Sequence, residues 1–198
     1  MEAERRNVLL ASLGKKGRGK SAVLRRLAWE CLRRIPSAIF LVHDPRRQWR
    51  TPAGIACRWK DVAECRAHAA KTKGLPRLNL FDDPDADQVC KLARDLKDCT
   101  VVLDELDAVT DGKKWTSDSA SRIVHWGRHE RVSLWGSFRR AANIPEDFLA
   151  MVDVVFLFGY PEAAVYDLRG LEQRLGPEYC EASKTLDPFQ FVAWSDLT

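Results

Sequence analysis

Apolar residues in this chain alternate between short unbroken runs and helical stripes, and the alternation predicts the architecture. Asn7 to Leu13 (NVLLASL) is a continuous apolar run that stops at glycine, as a strand buried on both faces does. Val23, Leu24, Leu27, Ala28, Cys31 and Ile35 then recur at intervals of three and four, with arginines opposite, in a helix that Pro36 stops. Ala38 to Asp44 (AIFLVHD) is a second run, closed by Pro45. Strand, helix and strand in this order make a βαβ unit, which requires parallel pairing and a right-handed crossover.

The same rhythm continues. GIACRW (54–59) and PRLNLF (76–81) read as strands around a helix in DVAECRAHAAKT (61–72) that Asp61 caps. DPDADQVCKLARDLKD (83–98) reads as a helix with acids in its first turn and cations later, matched to its own dipole. TVVLDELDAV (100–109) is a buried strand ending in acids. After it come a helix over 116–129, a strand over 132–138, a short helix over 145–152 and a strand over 153–160. PEAAVYDLRGLEQRLG (161–176) is a helix with proline at its start and glycine at its end, and FQFVAWSDL (189–197) alternates weakly, as a last edge strand does. The expected fold is a three-layer α/β domain, a mainly parallel central sheet flanked by helices, with residues 1–198 forming one domain.

Composition supports a packed core, with 45% hydrophobic and 9% aromatic residues. No secretion signal and no membrane-spanning run is visible, so a cytoplasmic protein is expected. The six cysteines form no CxxC pair and are expected to be reduced core thiols; Cys57, Cys65 and His68 match no zinc module and lack a fourth ligand. Charge adds an asymmetry. Residues 1–77 carry 19 Lys and Arg against 6 Asp and Glu (+13), and residues 78–198 carry 13 against 22 (−9). A basic half suits a polyanionic partner, nucleotide or nucleic acid, and equally a set of solvated helix faces.

The run GKKGRGKS decides part of that question. Gly14, Gly19, Lys20 and Ser21 satisfy GxxxxGK[ST] between a predicted strand and a predicted helix, the context in which this pattern cradles phosphates. Glycines let backbone amides turn inward around a phosphate, Lys20 neutralises its oxygens, and the Ser21 hydroxyl is suited to Mg²⁺. The expected nucleotide contacts are Gly14, Lys15, Lys16, Gly17, Arg18, Gly19, Lys20, Ser21 and Ala22, and the expected cofactors are ATP and Mg²⁺. The phosphate loop needs a second oxygen ligand for the metal from another buried strand. TVVLDE supplies Asp104 for the metal and Glu105 as general base for the attacking water, with Asp107 a weaker substitute for either.

From the acid pair onward the chain resembles a known family. GRHERVSLWGSFRRAANIPEDFLAMVDVVFLF (127–158) is similar to the corresponding stretch of the HerA/FtsK superfamily of P-loop ATPases, especially the genome-packaging ATPases of tailless icosahedral viruses with an internal membrane. The resemblance runs from Asn7 to about Phe158. It implies a P-loop NTPase fold and ATP hydrolysis coupled to translocation of double-stranded DNA by a hexameric ring. A capsid or portal-vertex protein is the implied docking partner, and a host-cytoplasmic or virion-associated location follows. It puts Arg128 where the family has an arginine finger for a neighbouring subunit's γ-phosphate. Arg139 falls at the sensor glutamine and Arg140 at the arginine after it. Arg139 and Ala141 depart from the usual glutamine and proline, which leaves Ser137 as an alternative sensor.

A ring around DNA also needs cations on its channel. Two loops offer them beside an aromatic: Arg46, Arg47, Trp49 and Arg50 after the second strand, and Lys113, Lys114 and Trp115 after the acid pair. Three other readings share the phosphate loop. They are an assembly or export ATPase of the filamentous-phage type, a nucleotide kinase with RRAANIPEDF at its lid, and an ATP-dependent switch. Adjacent Asp104 and Glu105 suit water activation better than a small acceptor.

Overall fold

The computed structural model describes residues 7–49, 55–82, 85–159 and 165–197. The chain runs β1 (Leu9–Leu13), α1 (Lys20–Arg34), β2 (Phe40–His43), β3 (Ala56–Trp59), α2 (Val62–Thr72), β4 (Leu78–Phe81), α3 (Ala86–Leu96) and β5 (Cys99–Leu103). A 3₁₀ turn (Leu106–Val109) leads to a small hairpin of β6 (Thr110–Asp111) and β7 (Lys114–Trp115), then α4 (Asp118–Glu130) and β8 (Val132–Phe138). Next come a second 3₁₀ turn (Ala141–Asn143), α5 (Glu146–Met151), β9 (Val154–Phe158), α6 (Val165–Leu175), α7 (Pro177–Lys184) and β10 (Phe191–Ser195).

The central sheet has the order β10-β9-β1-β8-β5-β2-β4-β3. All of its pairs are parallel except β10 with β9, so the mainly parallel sheet and the final edge strand follow the sequence pattern. Alternate strand residues face opposite sides, the period-2 consequence of the pleat. Leu9, Ala11, Leu13, Leu41, Val101, Leu103 and Leu134 join one core, and α2 to α7 contribute to it. Leu10, Phe40, Val42, Val102 and Trp135 join the other, under Leu24, Ala28 and Leu32 of α1. These are the three layers.

Local chemistry explains the helix starts. Asp61, Asp85 and Ser117 cap α2, α3 and α4 by accepting hydrogen bonds from the amides of Glu64, Asp87 and Ala120. Two elements go beyond the expected set. Gly176 ends α6, but Pro177 at once starts α7, whose single buried turn has too little periodicity to announce itself. The β6–β7 hairpin turns through Gly112, where a polar loop was expected. The start of the 161–176 helix, together with Arg50 and Gly54, lies outside the described residues. The six cysteines are free, and burial pushes the thiols of Cys65 and Cys180 up to about 11. Among the described residues no helix is long and apolar enough to cross a membrane.

Strand order fixes the site. Because β8 lies between β1 and β5, the carboxyl ends of all three open onto one rim. Leu13 pairs with Phe138 and Leu103 with Gly136, which sets Ser137 between the phosphate loop and Asp104.

Candidate active site

The loop from Gly14 to Gly19 leaves β1 and enters α1 directly. Gly14 and Gly19 have φ of 151° and 108°, and added Cβ atoms there would stand 2.7 Å and 3.1 Å from Phe158 atoms. Both positions therefore need glycine for backbone conformation and for space. The amides of Ala22 and Val23 both donate to Gly19 O at 3.0 Å, which sets the first turn of α1. Unlike α2, α3 and α4, α1 has neither a side-chain cap nor an acid in its first turn, so its positive end faces the loop uncompensated. Lys20 Nζ donates to Gly14 O at 2.6 Å and Lys15 O at 2.9 Å, spanning the loop's mouth. Burial pulls its ammonium below the ordinary lysine value, and the Asp104 carboxylate opposes that shift. Lys15, Lys16 and Gly17 are exposed, whereas Arg18 is half-buried, with Nη1 3.5 Å from where a Cβ on Gly159 would stand.

Asp104 begins the turn after β5 and gathers three donors. Ser21 Oγ and Ser137 Oγ donate to Oδ1 at 2.8 Å and 3.2 Å, and Trp49 Nε1 donates to Oδ2 at 3.1 Å. Burial holds this carboxyl above the ordinary aspartate range, against the pull of the hydrogen bonds from Ser21, Trp49 and Ser137. A partly desolvated carboxylate sharing an oxygen with a serine hydroxyl is a hard-oxygen donor set that fits Mg²⁺. Ser21 and Asp104, the two residues expected at the metal, lie in hydrogen-bond contact.

Trp49 belongs to this centre and not to an exposed loop. It is 3% exposed and packs in the α1-side core. Asp44 holds the segment by accepting from the amides of Gln48 and Trp49 at 2.7 Å and 3.0 Å. Arg58 of β3 donates to Asp44 Oδ2 at 2.9 Å, to Trp49 O at 3.0 Å, and to Asp82. Edge strand β3 thus fixes the indole that orients Asp104. RRQWR gives no local sign of this, because every restraint on Trp49 comes from distant sequence. Trp49→Phe keeps an aromatic six-membered ring in the core and deletes the N–H together with the five-membered ring that carries it. It should raise the Mg²⁺ concentration needed for half-maximal hydrolysis about 10- to 100-fold, with the rate recovering at high Mg²⁺. A Mg²⁺ titration of the rate checks this.

Glu105 Oε1 accepts from two guanidiniums, Arg46 Nη1 at 2.8 Å and Arg139 Nη2 at 2.5 Å. Arg46, expected on a DNA-facing loop, is therefore turned to the acid pair. Its neighbour Arg47 pairs with Asp82 at 2.8 Å. Asp107 accepts from the Arg139 amide at 3.4 Å and from Asn143 Nδ2 at 3.1 Å, so it shapes the exit of β8. Arg140 is exposed, and its side chain makes no ion pair among the described residues.

Arg128 is exposed near the end of α4, just before β8. The far end of β8 pairs with Leu13, so Arg128 stands at the opposite rim of the sheet, roughly 20 Å from its own phosphate loop at ~3.3 Å per strand residue. The second cationic loop divides. Trp115 turns inward, donating to Asp147 Oδ1 and Oδ2 at 3.0 Å and 2.9 Å and packing edge-on to Phe148. Lys113, paired with Glu146 at 2.9 Å, and Lys114 are exposed at the hairpin tip.

No protein-family model and no curated protein sequence matches this chain. Solved structures do. The genome-packaging NTPase B204 of Sulfolobus turreted icosahedral virus 2, in complex with ATP-γS, superposes with a TM-score of 0.77 at 14% identity, over 96% of this chain and 92% of that one. VirB4 of Thermoanaerobacter pseudethanolicus gives a TM-score of 0.65 at 11% identity, over 100% and 89%. The pCW3 conjugation coupling protein TcpA gives 0.62 at 17% identity, over 97% of this chain and 58% of that one. With β8 set between the strands that carry the phosphate loop and the acid pair, this chain has the P-loop NTPase fold that these structures share.

Proposed function

We propose that this protein is an ATPase that translocates double-stranded DNA, acting as the ring-shaped motor of viral genome packaging. The observation that carries the hydrolytic part is the convergence on Asp104 of Ser21 from the phosphate loop and Ser137 from β8, with Glu105 beside it. The fold shared with a genome-packaging NTPase supports the choice of packaging among DNA motors.

In this reading the loop amides and Lys20 bind the β- and γ-phosphates, and Lys20 exchanges its bonds to Gly14 O and Lys15 O for phosphate oxygens. Ser21 and Asp104 would hold Mg²⁺, which would supply neutralisation of the phosphate charge. Glu105 accepts the proton of the attacking water. Arg139 leaves Glu105 for the γ-phosphate and serves as the sensor in place of glutamine, while Arg46 keeps the carboxylate in position for that task. Ser137 keeps Asp104 oriented. Arg128, too distant for its own site, completes the site of the neighbouring subunit. Lys113 and Lys114 face the DNA phosphates, with Arg140 a further cation at the rim and the basic first half of the chain supplying the field.

Displacement of the third strand from a DNA triplex tests translocation. Strand release should require ATP, fail with a non-hydrolysable analogue, and weaken steeply with salt. Lys113→Ala with Lys114→Ala should flatten that salt dependence. Hydrolysis without strand release would leave an ATP-dependent switch, and phosphate transfer to a small acceptor would make the protein a kinase.

A further inference from the structure

The turn between α7 and β10 carries a phenylalanine that neither its backbone nor its burial accounts for. Gln190 N donates to Asp187 O at 3.1 Å, and Asp187 N donates to Gln190 Oε1 at 3.0 Å, closing a turn over 187–190. Pro188 fills the second position and Phe189 the third, with φ of 70°. Proline's fixed φ makes this a type II turn, whose third position favours glycine or asparagine. Phe189 is also 69% exposed, the most exposed of the large hydrophobic residues described. A strained, solvated aromatic side chain points to a use.

Its position supplies the use. A Cβ on Gly19 would stand 3.1 Å from Phe189 Cδ1 and 3.6 Å from Phe189 Cα, so the ring stands beside the last residue of the phosphate loop. The turn is anchored from behind. Phe191, the first residue of β10, pairs with Phe158, and its ring lies 5.3 Å from that of Phe158 and 5.1 Å from that of Phe156. Phe158 in turn crowds Gly14 and Gly19 from below. A nucleotide with its phosphates in the loop must lead its ribose and base out of the mouth of that loop, and Phe189 is an aromatic face at this mouth with no ring stacked on it among the described residues.

We propose that Phe189 is the platform on which the base of a bound nucleoside triphosphate stacks, making the α7–β10 turn the base subsite. The proposal rests on the nucleotide-binding reading above. A π-face accepts any base, so this subsite distinguishes a nucleotide from bare triphosphate. Adenine and guanine should stack on it alike.

Calorimetric titration of the full chain with Mg·ATP and with Mg·tripolyphosphate tests it, using wild type, Phe189→Gly and Phe189→Trp. Glycine suits the positive φ, so the turn survives the loss of the ring. Phe189→Gly should lose about tenfold in ATP affinity and nothing in tripolyphosphate affinity, while Phe189→Trp keeps the wild-type preference for ATP. An unchanged ratio of the two affinities in Phe189→Gly, or an equal loss for both ligands, would overturn the base subsite while leaving the phosphate site standing. Failure of the wild-type protein to bind either ligand would overturn the nucleotide reading, and the subsite with it.

Discussion

Glu105→Gln is expected to leave ATP binding close to wild type and to slow turnover by about 10²- to 10⁴-fold, the range a positioned general base contributes. The substitution is nearly isosteric, and its amide oxygen still accepts from one of the guanidiniums, Arg46 or Arg139, that now share Oε1. Both arginines are about half exposed, so the weakened pairing costs little stability. What the amide loses is the capacity to take a proton. Equilibrium binding of an ATP analogue beside steady-state phosphate release separates the two effects. Unchanged turnover would remove Glu105 from the chemistry, and Asp107 is poorly placed to replace it, since its oxygens already serve Asn143 and the Arg139 amide.

Lys20→Ala and Arg128→Ala should each lower hydrolysis by about 10²- to 10³-fold, the usual effect of deleting one charge-stabilising group. Their mixture separates a ring from a monomer. A Lys20→Ala subunit keeps Arg128 and can complete the intact phosphate loop of an Arg128→Ala neighbour. In an equal mixture roughly a quarter of the sites then have both groups, so activity should return to about that fraction of wild type. A mixture as inactive as its components would place Arg128 outside the site altogether. The roughly 20 Å between Arg128 and its own phosphate loop, at ~3.3 Å per strand residue, puts it out of reach of a nucleotide bound to its own subunit.

The parts of this site that are contiguous in sequence were the legible ones. NVLLASL, GKKGRGKS and the stripe of α1 each carry their own signal, because strand, loop and helix are dictated by neighbours three or four residues away. TVVLDE is legible for the same reason: a buried run must end, and its carboxylates mark where. The groups that tune the acids were not legible. Arg46 looks like a solvated cation until β2 and β5 pair and set it against Glu105. Trp49 in RRQWR reads as a loop aromatic, and only Asp44 and Arg58 turn it inward onto Asp104. Trp115 follows the same pattern, held inside by Asp147 of α5. Phe189 gives no pattern at all, since its meaning lies in a turn conformation and in its distance from Gly19. Long-range polar contacts decide where a loop side chain points, and periodicity carries no trace of them.

Steady-state ATP hydrolysis with and without duplex DNA tests the account most directly. The account predicts Mg²⁺-dependent hydrolysis that rises several-fold when duplex DNA is added and loses that stimulation as salt is raised. Hydrolysis that is absent in both conditions, or indifferent to DNA at low salt, would contradict it.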